Sequence, residues 1–136
     1  MTRDEILNMP AGREMNGLIF EYVFGAKWYH NKDRRNFLIM PEDAYTETGE
    51  FSEGKIETEK TPYIGGRPYS KDIVEAWKVI EKLKSAWVVE VGCNDRIYWC
   101  EMYNHAGVNG WVDAKSKESA AHAVCRAALL AVMEAE

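Results

Sequence analysis

Apolar positions recur at helical spacing in three stretches of this 136-residue chain. Met15, Leu18, Ile19, Tyr22 and Val23 fall at i, i+3, i+4, i+7 and i+8, which predicts an amphipathic helix over roughly 12–24. Gly25 is placed to end it in a left-handed conformation. Ile73, Trp77, Ile80 and Leu83 predict a second helix near 71–84, with Ser70 as its cap. The third, AAHAVCRAALLAVMEA over 120–135, is apolar around almost its whole circumference, and Ser116 is its candidate cap. Between the second and third helices the pattern changes to runs of strand length. Residues 86–91 read as a strand, Asn94-Asp95 as a two-residue hairpin turn, 96–103 as the returning strand, and Asn109-Gly110 as a turn into a short strand at 111–115. Phe37–Met40 predicts one further strand, stopped by Pro41. Residues 42–61 are acidic and polar with isolated aromatics at Tyr45 and Phe51, and the stretch over about 41–67 reads as a long loop with room for one hairpin, either functional or mobile. The whole predicts one α+β domain over 1–136: an antiparallel sheet with helices packed against it, in the order helix, then α-β-β-β-α.

A helix apolar all round is a buried helix, and the closing one carries a permanent charge, Arg126, one turn after His122. A buried guanidinium requires an anion or a dense set of acceptors. Two partners fit: a carboxylate at the core edge, such as Glu90 or Glu101, or a phosphate of a bound ligand. Ala121, Val124, Cys125, Ala128 and Val132 form one arc of the helix, and the far side, with Leu130, is apolar as well. That second apolar side predicts a second surface to bury, such as another subunit of a homo-oligomer.

Carboxylates outnumber Lys plus Arg by 22 to 17, a net charge of −5, which argues against a general nucleic-acid surface while leaving room for a local basic pocket. The stretch MTRDEILNMP has no apolar signal-like core, and no run approaches membrane-spanning length, so a cytoplasmic protein without membrane association is expected. Cys93, Cys100 and Cys125 suit reduced, buried thiols. With His105 and His122 they match no zinc-ligand spacing, and no Gly-rich phosphate loop, G-x-S-x-G or H-E-x-x-H occurs, so no metal, cofactor or catalytic residue is expected. The strand Ile97–Tyr103 is dense in aromatics: Tyr98, Cys100 and Met102 share one face; Ile97, Trp99, Glu101 and Tyr103 share the other. Such plates, with Asn104 and Asn109 nearby, suit a nucleobase or, equally, a covered sheet with ordinary turn chemistry. The α-β-β-β-α order with Lys115, Lys117 and Glu118 opening the last helix is also similar to a double-stranded-RNA-binding domain, against which the acidic balance counts.

Three blocks resemble the phage ABA sandwich domain family: the opening MTRDEILNMPAGREM with its helix to Phe24-Gly25; Pro68-Tyr69-Ser70-Lys71-Asp72-Ile73 followed by Ala76-Trp77; and Ala123-Val124-Cys125-Arg126-Ala127-Ala128-Leu129. Some members are similar to Thoeris anti-defence sponges. That resemblance implies a phage anti-defence protein that captures a cyclic ADP-ribose-type or cyclic oligonucleotide immune signal without cleaving it. It also implies a dimer or larger homo-oligomer that forms an αβα sandwich on assembly. Arg126 is the residue the resemblance carries over directly, with His122 beside it where a second arginine would suit two phosphates. Aromatic and amide roles then fall on Tyr98, Trp99, Tyr103 and Asn104. The alternative is a phage interaction protein that inhibits a host factor through the acidic loop over 42–59.

Overall fold

The computed structural model describes residues 1–44, 49–104 and 110–134. The chain opens with a helix that sequence periodicity did not predict, α1 (Arg3–Asn8), held by a capping box in which the Glu5 amide donates to the Thr2 hydroxyl and the Thr2 amide to the Glu5 carboxylate. α2 (Arg13–Tyr22) follows, and Gly25, at φ 84°, ends it as expected: its amide donates to the Glu21 carbonyl at 3.2 Å.

The next segment corrects the sequence reading. Instead of a lone strand and a long loop, β1 (Lys27–His30), β2 (Asn36–Ile39), β3 (Ser52–Glu53) and β4 (Tyr63–Ile64) form a sheet in the order β3-β1-β2-β4, with β2 and β4 parallel. Pro41 stops β2 and opens the single turn α3 (Pro41–Ala44), its fixed φ suiting a first helical position. Tyr45 lies outside the described residues. Residues 54–62 are strapped onto this sheet. The buried Asn36 side chain donates to the Ile56 carbonyl at 2.7 Å and accepts the Ile56 amide at 2.9 Å. Arg34 donates to the Glu57 carbonyl, Arg35 to that of Thr61, and Lys60 to that of Asp33.

α4 (Ile73–Leu83) starts later than predicted because Asp72, not Ser70, caps it, accepting the Val74 amide at 2.8 Å. Ser70 is fully buried and ties α4's approach to α2: its amide and hydroxyl both donate to Asn16, and its hydroxyl oxygen accepts the Gly12 amide. The second sheet is antiparallel, β5 (Trp87–Cys93), β6 (Tyr98–Asn104) and β7 (Trp111–Ser116) in that order. Its first hairpin has a two-residue turn, shifted by one residue from the expected Asn94-Asp95. The Asn94 amide donates to the Ile97 carbonyl at 3.0 Å, so Asp95-Arg96 form the tip, and the Asn94 side chain accepts the amides of Arg96 and Ile97 across it.

α5 (Ala120–Glu134) lies on the side of this sheet that carries the buried Cys100, Met102, Val112 and Ala114. Its other sides pack against α1, α2 and α4. Ala123, Ala127 and Leu130 are therefore fully buried within one chain. The far apolar side of the helix, expected to need a second subunit, is covered by the chain's own N-terminal helices. The α+β class stands, with a helical layer against the antiparallel sheet. No helix among the described residues is long and apolar enough to cross a membrane.

Candidate functional site

Two serines turn the chain from β7 into α5. Ser116, predicted as the cap, sits earlier in the turn, its hydroxyl oxygen accepting the amides of Glu118 at 3.0 Å and Ser119 at 3.3 Å. Ser119 immediately precedes the helix and accepts the His122 amide at 3.0 Å, which is N-cap geometry. This folding places the His122 imidazole over Ser116, Nδ1 2.8 Å from the hydroxyl, and Nε2 2.9 Å from the Met9 carbonyl oxygen. The carbonyl can only accept, so Nε2 carries the proton and Nδ1 accepts from Ser116: a neutral imidazole with both nitrogens satisfied. Burial pushes the pKa of His122 below its ordinary value; the Met9 carbonyl opposes that shift, nearby Arg126 adds to it, and Glu118 opposes it.

One turn on, Arg126 Nη1 donates to the Lys115 carbonyl at 2.7 Å and Nη2 to that of Met9 at 3.2 Å. Its Nε is buried and without a hydrogen-bond partner among the described residues. Backbone acceptors meet the charge, not the expected carboxylates: Glu90 and Glu101 lie in strand positions facing away from α5, where Glu90 accepts from the Tyr103 hydroxyl at 2.9 Å. The gap beside the pair is a pocket of about 290 Å³. Lys117 and Arg126 line it, against one carboxylate, Glu118, with Ser116 and His122 at its wall; Lys115 borders it from a strand position that shares the opposite face with Trp99.

The Ser116–His122 contact resembles an activated nucleophile and its base. Ser116 is only 2 % exposed, and both lone pairs of its oxygen are taken by backbone amides while its proton goes to His122. Nothing on that oxygen remains for attack. Cys100 is buried, its thiol pushed up to about 12 by that burial, and Cys125 is pushed up for the same reason. Among the described residues no cluster of His, Cys, Asp or Glu has the arrangement of a metal site. His105 and Asn109 lie outside the described residues.

The remaining sequence-predicted site residues are dispersed. Tyr98 pairs with Ser116 and stands on the α5 side of the sheet, at the pocket's end of β6. Trp99 and Tyr103 are on the opposite face. Asn104 is at the other end of β6, paired with Trp87 and, at about 3.3 Å per residue, roughly 20 Å from Tyr98. Within one subunit Trp99, Tyr103 and Asn104 do not join Arg126 and His122. Sequence reasoning missed the two backbone carbonyls, of Met9 and Lys115, because an acceptor on the main chain leaves no mark in residue identity.

Residues 18–129 match the family model described as the phage ABA sandwich domain. The chain belongs to the phage ABA sandwich domain family. In this family member the match runs from the second half of α2 through most of α5, so it includes Lys117, His122 and Arg126 and stops short of Met9 on the N-terminal side. The fold is also similar to the crystal structure of a phage protein from Bacillus cereus ATCC 14579, with 29 % identity over 92 % of this chain and 95 % of that one, at a TM-score of 0.53. No curated protein matches this phage ABA sandwich chain.

Proposed function

We propose that this protein is a phage anti-defence protein that binds a cyclic ADP-ribose-type or cyclic oligonucleotide immune signal and holds it without cleaving it. The observation that carries the reading is the pocket at the start of α5, where Lys117 and Arg126 meet one carboxylate in an otherwise acidic chain. Cations around a partly buried site favour a phosphate, and Nη1 and Nη2 of Arg126 each keep a second N–H beyond those given to Lys115 and Met9. A storage role needs no nucleophile, which fits the committed lone pairs of Ser116. At about 290 Å³ the pocket is at the small end for a ligand site, room for a phosphate and part of its sugar. The rest of the signal then lies against a second subunit. The exposed Ile73, Val74 and Trp77 of α4, at 50, 67 and 55 %, give a homo-oligomer an apolar surface to bury.

The test is to incubate the protein with the product of a TIR immune enzyme, remove unbound ligand, heat-denature, and assay the supernatant. Intact signal is the expected result. A degraded product makes the protein an enzyme, and no depletion at all leaves a phage interaction protein. Lys117→Ala, at an exposed position, is the variant expected to lose capture while remaining folded.

A further inference from the structure

The face of the β5-β6-β7 sheet away from α5 is arranged as three rows of residues that pair directly across the strands. The middle row is Glu90, Glu101 and Asp113: three carboxylates side by side, one per strand. Like charges directly opposite one another in a sheet are destabilising. The chain offsets this only in part. Tyr103 donates to Glu90 at 2.9 Å, and Arg3 of α1 comes to 4.0 Å from Asp113 at the edge. Among the described residues no cation is within ion-pair distance of Glu101, the central member. The phenol of Tyr103 is pushed up first by its hydrogen bond to Glu90, then by burial, and further by the charges of Glu90 and Glu101.

Aromatic groups wall the acidic row on both sides. Tyr103 and Trp111 pair in the row toward one end, with Trp111 60 % exposed. Trp99 and Lys115 pair in the row toward the other end, so one exposed cation stands beside three carboxylates and the face stays net acidic; the indole lies across Gly92, where a Cβ would fall 2.3 Å from Cζ2 of the ring. Among the described residues no other secondary-structure element covers this face substantially. A second copy stacked face to face on it would bring one row of three carboxylates against another, so an isologous contact is disfavoured.

We infer that this aromatic and acidic sheet face is a docking surface for a guanidinium-rich, extended segment of a protein partner. Arginine fits the surface better than lysine. Its planar group stacks on Trp99 or Tyr103 while its N–H fork meets paired carboxylates, and an ammonium does only the second well. An extended segment presents alternate side chains to one side, matching the spacing of the rows. The surface is on the opposite side of the sheet from the Arg126 pocket and does not depend on that pocket's ligand.

The test is calorimetric titration of the full chain at low salt with an octa-arginine peptide, and in parallel with octa-lysine. Octa-arginine is expected to bind at least about tenfold more tightly than octa-lysine, and Glu101→Gln to weaken it about tenfold or more. Glu101→Gln keeps shape and removes a repelled charge, so it is expected to melt no lower than the parent. The control Glu57→Gln with Glu59→Gln removes two exposed carboxylates on the strap and is expected to leave binding within about twofold. Absence of binding overturns the inference, as does equal binding of the two peptides. Equal weakening by the control and by Glu101→Gln overturns it too, since net charge alone would then explain the attraction.

Discussion

His122 and Arg126 meet on one oxygen, the Met9 carbonyl, at 2.9 Å from the imidazole and 3.2 Å from the guanidinium. The pair fastens the end of α1 to α5, and each single loss leaves that carbonyl one partner. His122→Ala also orphans the Ser116 hydroxyl, and Arg126→Ala also frees the Lys115 carbonyl, so each is expected to cost about 2–3 kcal/mol. The double variant leaves the buried carbonyl bare and is expected to lose about 1 kcal/mol more than the two singles together. Urea unfolding of the four proteins measures this. Additivity within about 0.5 kcal/mol would mean that the shared oxygen carries no energetic coupling.

The neutral state of His122 makes stability depend on pH. Its folded pKa lies below the ordinary 6.5, so the unfolded chain binds the proton more readily. The contribution is complete above pH 6.5 and is lost as pH falls from there through the folded value, with a slope of at most about 1.4 kcal/mol per pH unit for one proton. Glu5 and Glu81 are also held low, by hydrogen bonds from Thr2 and Lys84 respectively, but their contributions fade only below about 4.5. Melting temperatures between pH 8 and 5 are thus expected to fall first through His122, and His122→Gln to flatten that part of the curve. Parallel curves for parent and variant would remove His122 as the cause.

How much of this was legible in the sequence follows the length of each pattern. α2, α4 and α5 span enough turns for their apolar period to show, and Gly25 marks an end that φ bears out. α1 has six residues and β1 four, too few for either period to emerge. The side-chain alternation in β6 separated Tyr98 from Trp99 and Tyr103 from the start, but which face α5 would cover depends on tertiary packing. Likewise the i, i+4 spacing placed His122 beside Arg126, while their partner is a main-chain atom more than a hundred residues earlier.

The strap over 54–62 gives a local test. Asn36 presents its amide to Ile56 as a second strand would, and its burial makes both bonds costly to lose. Asn36→Ala is expected to release the strap with a smaller effect on global unfolding, because the Arg34 and Arg35 ties are exposed and weaker. Limited trypsinolysis at Lys55 and Lys60 reads it: cleavage about tenfold or more faster than in the parent is the expected outcome. An unchanged rate would mean that the other ties suffice.

Gly92 fixes the outer sheet face. Alanine in place of a strand glycine usually limits the unfolded chain and stabilises. Here the added methyl would lie 2.3 Å from Cζ2 and 2.4 Å from Cε2 of Trp99, so the indole must leave its place. Gly92→Ala is therefore expected to destabilise by about 1–3 kcal/mol, as overpacking does, with a change in near-ultraviolet dichroism as the ring loses its fixed setting. Once Trp99→Ala has removed the ring, the same methyl meets no indole, and Gly92→Ala should then be neutral or mildly stabilising. The comparison separates the Gly92–Trp99 fit from any general intolerance of the strand. A loss of equal size in both backgrounds would show that something other than the indole requires glycine at this position.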